Sequence, residues 1–185
     1  MIPTRGRGWA LDQPTRDNID ILRRGLELLY KIDDRSYLHV KHAYSQYGIA
    51  SHLRHCLDFY ISFLDGIGMG RIDYDSRTRD SRLEKDRTFA IAKMESIVDA
   101  LERLPEVEVD IPLKVRLEDS GDAGDPSSWS DSSVKRELQS LVSHTVHHYA
   151  LIALMLQLKG FVIPEDFGVA PSTLKHWKKV SACAQ

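Results

Sequence analysis

Apolar side chains recur at helical spacing in four stretches of the chain. Across 17–32, Ile19, Ile21, Leu22, Leu26, Leu29 and Ile32 fall on one side, and Thr15 or Asp17 supplies an N-cap. Residues 46–67 repeat the pattern with Ile49, Leu53, Cys56, Tyr60, Phe63, Leu64 and Ile67, and Gly66, Gly68 and Gly70 end it. A third helix is predicted over 81–104, with Leu83, Ile91, Met94, Ile97, Val98, Leu101 and Leu104 buried and Pro105 stopping it. The fourth runs from Ser132 or Ser133 to Leu158, ahead of Gly160 and Pro164.

Between these stretches the pattern changes. Residues 71–87 carry charge of both signs and read as a solvated loop leading into the third helix. "VEVDIPLKVRL" alternates strictly, with Val107, Val109, Ile111, Leu113, Val115 and Leu117 on one side. That is a half-buried strand, and Pro112 places it at an edge. "EDSGDAGDPSSWSD" reads as a loop, and the tail as a loop with a helical turn or two. The reading is an all-α four-helix bundle with a short extended insert between helices three and four. It is taken as one domain over 1–185, with 1–14 an N-terminal extension and 160–185 a tail.

The apolar run of the fourth helix opens with "SHTVHHYALIALMLQL". At 100° per residue, His144 and His148 lie about 40° apart, with Met155 and Leu151 each about 20° from His144. Both histidines are therefore expected within the apolar stripe, one turn apart, and His147 at its edge. Two imidazoles at i and i+4 point the same way and suit one metal ion. Without a metal, each would need its own hydrogen-bond partner. The second helix adds "SHLRHCLDFY", with His52 at the edge of its apolar face and His55 further round, toward Phe59. Either would complete a three-histidine site with open positions, the pattern of a catalytic ion. Asp58, one turn after His55, is placed to orient that ring.

The remaining features narrow the picture. With 25 basic and 27 acidic residues in 185, the chain has no basic footprint for nucleic acid and no polybasic membrane anchor. No signal-peptide core opens it, and Tyr149–Leu158 is too short to span a bilayer. Two distant cysteines, Cys56 in the core and Cys183 in a frayed tail, fit a reducing cytoplasm. The sequence contains no Glu-x-x-His, which sets aside a carboxylate-bridged di-iron bundle. His39 and His42 read as connector residues, His176 as part of a basic tail, and Trp129 and Trp177 as packing covers.

"IASHLRHCLDFY", "RELQSLVSHTVHHYALI" and the terminal "PEDFGVAPSTL" together resemble the DinB-like (DinB/YfiT) four-helix proteins, from about residue 15 to 177. The resemblance points to His55, through "HCLD", and to His144 and His148 as a triad for a divalent ion such as zinc or nickel. It implies an enzyme such as a low-molecular-weight thiol S-transferase or a hydrolase, acting on a small-molecule thiol or electrophile. The sequence departs from the family pattern at Tyr149, where many relatives carry Arg or Lys, and at His52, which replaces an apolar residue. His52, with Asp58 and His147, is thereby a hydrogen-bond partner behind the ligands or an alternative ligand. A non-catalytic, metal-stabilised interaction module is the competing reading, and a homodimer fits either.

Overall fold

The computed structural model describes residues 12–39, 47–104, 110–117 and 124–183. Four long helices form the bundle: α1 (Gln13–Lys31), α3 (Ile49–Ile67), α5 (Arg87–Glu102) and α6 (Val134–Gln157). Helix α1 packs on α5 and α6, and α3 packs on the same two, so the four close around a single apolar cluster. Shorter elements fill the connections: α2 (Asp34–His39), β1 (Arg71–Asp73), α4 (Arg82–Lys85), β2 (Pro112–Arg116) and β3 (Ser130–Ser133). Helix α7 (Pro171–Cys183) follows the bundle.

The helix starts show why the boundaries fall where they do. Asp12, rather than Thr15 or Asp17, caps α1, its carboxylate accepting the Thr15 N–H at 2.8 Å. Pro14 tolerates the first turn, so the helix begins ahead of its first apolar residue. Ser133 caps α6 as expected, accepting from Arg136 N at 3.3 Å. The expected single helix over 81–104 is two. The backbone leaves helical geometry at Asp86 (φ −136°, ψ 106°), whose side chain then caps α5 through Phe89 N.

The insert is larger than the sequence pattern conveys. It is a three-stranded sheet in the order β1-β2-β3, β1 parallel and β3 antiparallel to β2. Pro112 therefore begins a central strand and not an edge strand. It is accommodated because it is the first residue, two positions before β1 joins at Lys114. Of the alternating apolar set, Leu113 is buried and Val115 half-buried, but Ile111 and Leu117 are exposed. Residues 105–109, including Val107 and Val109, lie outside the described residues, as do His42 and the side chains of His39 and Cys183. The stretch read as a solvated loop supplies β1, and its Ile72 and Tyr74 are buried. A Cβ on Gly66 would lie 2.6 Å from Arg71 O, so only a glycine lets β1 sit against the end of α3.

Buried polar groups tie the helices together. Asn18 donates to the Pro14 and Leu138 carbonyls, each at 2.8 Å, and accepts from the Tyr60 hydroxyl at 2.7 Å. Thr145 donates to Leu141 O at 2.8 Å and its hydroxyl oxygen lies 3.3 Å from that of Tyr60, so α1, α3 and α6 share one network. The tail is also anchored. Phe167 stacks on Tyr149 with centroids 4.7 Å apart. Gly168, at φ +75°, lies so close to α6 that a Cβ would meet Ala150 N at 2.7 Å. Helix α7, 13 residues long, exceeds the expected turn or two.

Candidate metal centre

The deepest residues of α6 are Leu138, Thr145, Tyr149, Ile152 and Leu156, each at most 1% exposed. Their stripe is centred about 100° from His144 on the helical wheel. Buried Met155 and Leu141 lie about 20° and 60° from His144, so His148 sits within the apolar stripe as the sequence pattern suggests, and His144 sits at its border, both half-buried. On α3, Leu53, Cys56, Leu57, Tyr60 and Phe63 face the core and His52 and His55 flank it. Because α3 packs on α6, these two borders meet, and four imidazoles share the seam.

The contacts run in a chain. His55 Nε2 lies 3.1 Å from His144 Nε2, and His148 Nε2 lies 3.1 Å from the same atom. One ligand nitrogen from each of His55, His144 and His148 lies within 4.8 Å of the others. His148 turns its other nitrogen to His52, with Nδ1 to Nδ1 at 2.9 Å. The two histidines of α3 thus occupy different places: His55 faces the shared point and His52 stands behind His148. His147 is exposed and touches only the edge of the His148 ring, with centroids 5.0 Å apart.

This donor set fits a divalent cation. Tetrahedral zinc with nitrogen ligands at 2.0–2.1 Å holds those nitrogens about 3.4 Å apart. A neutral imidazole nitrogen carries one N–H or one lone pair, so His144 Nε2 alone serves two neighbours poorly. A cation among three lone pairs would satisfy all of them together. His148 would then carry its proton on Nδ1 and donate it to His52, which stands where a carboxylate, carbonyl or water usually takes the outer proton of a ligating histidine. His144 Nδ1 is buried with no hydrogen-bond partner among the described residues.

The electrostatics keep the imidazoles neutral. Burial, with the charges of neighbouring histidines and of Arg77, lowers His55 to about 4 and His144 to about 4. Burial and the adjacent histidines lower His148 to about 3, and burial also lowers His52. Asp58 does not take the role of orienting His55. It is buried and pairs with Arg54 at 2.6 Å on its own helix, and its other oxygen has no hydrogen-bond partner among the described residues. An i, i+3 spacing turns it about 60° away from His55. Arg54 also reaches Glu84 of α4 at 2.5 Å, which locks that connection against α3.

Aromatic groups set the ring positions. Phe59 lies 4.1 Å from His144 and 5.0 Å from His55, centroid to centroid, and stacks on Tyr74 of the insert at 4.9 Å. Two cavities open beside the cluster. One, of about 150 Å³, is lined by His55, Phe59, Tyr74, Arg77 and His144 among others. The other, of about 320 Å³, reaches His52, His55 and His148. Arg77 lines both. This residue escaped the sequence reading because its stretch looked like solvated charge; the alternation of Ile72 and Tyr74 just before it was the available signal that the segment turns inward.

Comparison with known proteins gives a fold and little more. A crystal structure of a DinB-like protein, YjoA from Bacillus subtilis, superposes with a TM-score of 0.58 at 21% identity, covering 83% of this chain and 96% of that one. The chain therefore has a DinB-like fold. No family model matches the sequence. A protein named FK506-binding protein 5, from Rhizopus delemar, is 37% identical over 109 residues, which is 58% of this chain and 28% of that protein. The chain spans under a third of that relative's length, and the binding in its name belongs to that protein.

Proposed function

We propose, taking the DinB-like fold as the premise, that the chain binds one divalent ion through Nε2 of His55, His144 and His148. We further propose that it uses this ion on a small molecule, either in transfer of a low-molecular-weight thiol or in hydrolysis. The observation that carries this reading is the meeting of three neutral ring nitrogens from two helices beside two cavities. A divalent cation bound there would make a coordinated water or thiol more acidic, so that a nucleophile exists near neutral pH. Zinc and nickel both accept imidazole.

The protein's own groups have definite tasks in this scheme. Three uncharged ligands leave the cation its full charge. His52 fixes the His148 ring through its Nδ1 contact, and Phe59 fixes His144. The two cavities give access for the reactants. Cys56 is not the thiol: it is buried, and burial pushes its pKa far up. A thiol substrate would come from solution.

The test uses tag-free protein, reconstituted with zinc or nickel and assayed for thiol loss against a panel of electrophiles and for ester hydrolysis. Turnover that requires metal and vanishes in His144→Ala is expected. A protein that binds metal and responds only with a higher melting temperature is the metal-stabilised interaction module instead.

A further inference from the structure

The larger cavity beside the triad has walls of one charge. Arg54, Arg77 and Arg79 line it together with Tyr47 and Ser51, and no carboxylate does so among the described residues. This is notable in a chain of net charge −2. Arg54 is already neutralised by Asp58 and Glu84. Arg77 and Arg79 make no ion pair within 4.0 Å among the described residues, the Asp58 carboxylate acting on both, and Asp75 on Arg77, only from further off, and they stand two positions apart on the segment between β1 and α4.

Arg77 is held in place by its surroundings. Its Cζ lies 4.3 Å from the Phe59 ring centroid, and one of its terminal nitrogens donates to the Tyr74 carbonyl. Its Nε is buried and has no hydrogen-bond partner among the described residues. A guanidinium fixed by stacking and by one backbone bond, and lining the cavity, presents a planar edge in a set orientation. Arginine pairs with carboxylates through two parallel N–H···O bonds.

We infer that the cavity of about 320 Å³ is a subsite for a small carboxylate, bound by Arg77 with Arg79 at the mouth, next to the histidine triad. This rests on the metal reading, since the carboxylate holds one end of a ligand whose other end meets the cation. The cavity is at the small end of ligand sites, which run from roughly 300 to 1,000 Å³. A short acid of a few carbons, such as a mercapto acid, suits it. A bulky substrate does not.

The experiment is calorimetric titration of zinc-loaded protein with 3-mercaptopropionate and with 2-mercaptoethanol, after the zinc content of every sample is measured. The wild type is expected to prefer the acid at least tenfold. Arg77→Lys keeps charge and reduces the preference to about twofold, and Arg79→Gln reduces it partly, both with zinc content and 2-mercaptoethanol affinity unchanged. A second arm needs no metal: chelator-treated protein is compared for glutarate against glutaramide, and a preference for glutarate that is weakened in both variants is expected. Equal affinities for acid and neutral ligand in wild type, or a preference untouched by both substitutions, overturns the subsite. Loss of zinc binding with the glutarate preference intact would count against the metal reading alone.

Discussion

His144 is the hinge of the cluster, since its Nε2 contacts both other ring nitrogens. Replacing His144 or His148 with Ala should abolish stoichiometric metal binding, as read by elemental analysis. His52→Ala should weaken affinity by about 10–100-fold without abolishing it, the usual size of a loss behind the ligand shell. His147→Ala should leave affinity unchanged, because its ring is exposed and holds no ligand position. Equal losses in all four variants would contradict this ordering.

Acid should act through the same residues. In the metal-free fold His55 and His144 are lowered to about 4 and His148 to about 3, from an ordinary 6.5. Between those values the unfolded chain binds more protons than the folded one, so stability rises with pH. The contribution is complete above about 6.5 and disappears as pH falls toward the folded values. Urea unfolding of metal-free protein from pH 4 to 7 should show this slope, and His144→Asn should flatten it. A wild-type midpoint that does not move over that range would contradict the account. The i, i+4 pair on the last long helix was legible from spacing alone. The choice between His52 and His55 was not, because a helical wheel does not show which neighbour a flanking residue meets.

At the scale of elements, close approaches set the geometry that brings the seam together. A Cβ on Gly25 of α1 would stand 2.0 Å from the Tyr149 hydroxyl and 2.8 Å from its ring. Gly25→Ala gains about 1 kcal/mol of helix propensity but overpacks a fully buried ring, which costs about 1–3 kcal/mol. Net destabilisation is expected in denaturant melts. Tyr149→Phe should recover part of it, since the hydroxyl is the nearest atom and has no hydrogen-bond partner among the described residues. Identical stability of Gly25→Ala and wild type would refute this packing. The four long helices were readable because their apolar faces are continuous. Strand β3, "SDSS", was not: it has no apolar pattern, and pairing with β2 alone defines it. The break at Asp86 was hidden for a different reason, since apolar spacing runs on through it.

For the whole molecule, metal and fold should be coupled. The triad bridges α3 and α6, so a bound ion cross-links the seam between them. An ion held at 100 times its dissociation constant stabilises the folded state by about 2.7 kcal/mol. Removing it with a chelator should lower the melting temperature by several degrees, and His144→Ala should show no such response. No helix among the described residues is long and apolar enough to cross a membrane. The all-α bundle was legible from periodicity, and the DinB-like structure agrees with it. The charged wall of the larger cavity was not, because Arg54 comes from α3 and Arg77 and Arg79 from the following segment, which only the folded chain brings together.

The most direct measurement is elemental analysis of untagged protein after reconstitution with zinc and desalting, wild type beside His144→Ala. One ion per chain in the wild type and none in the variant is the predicted result. Sub-stoichiometric metal in the wild type, or an equal amount in both, would contradict a centre built from residues 55, 144 and 148.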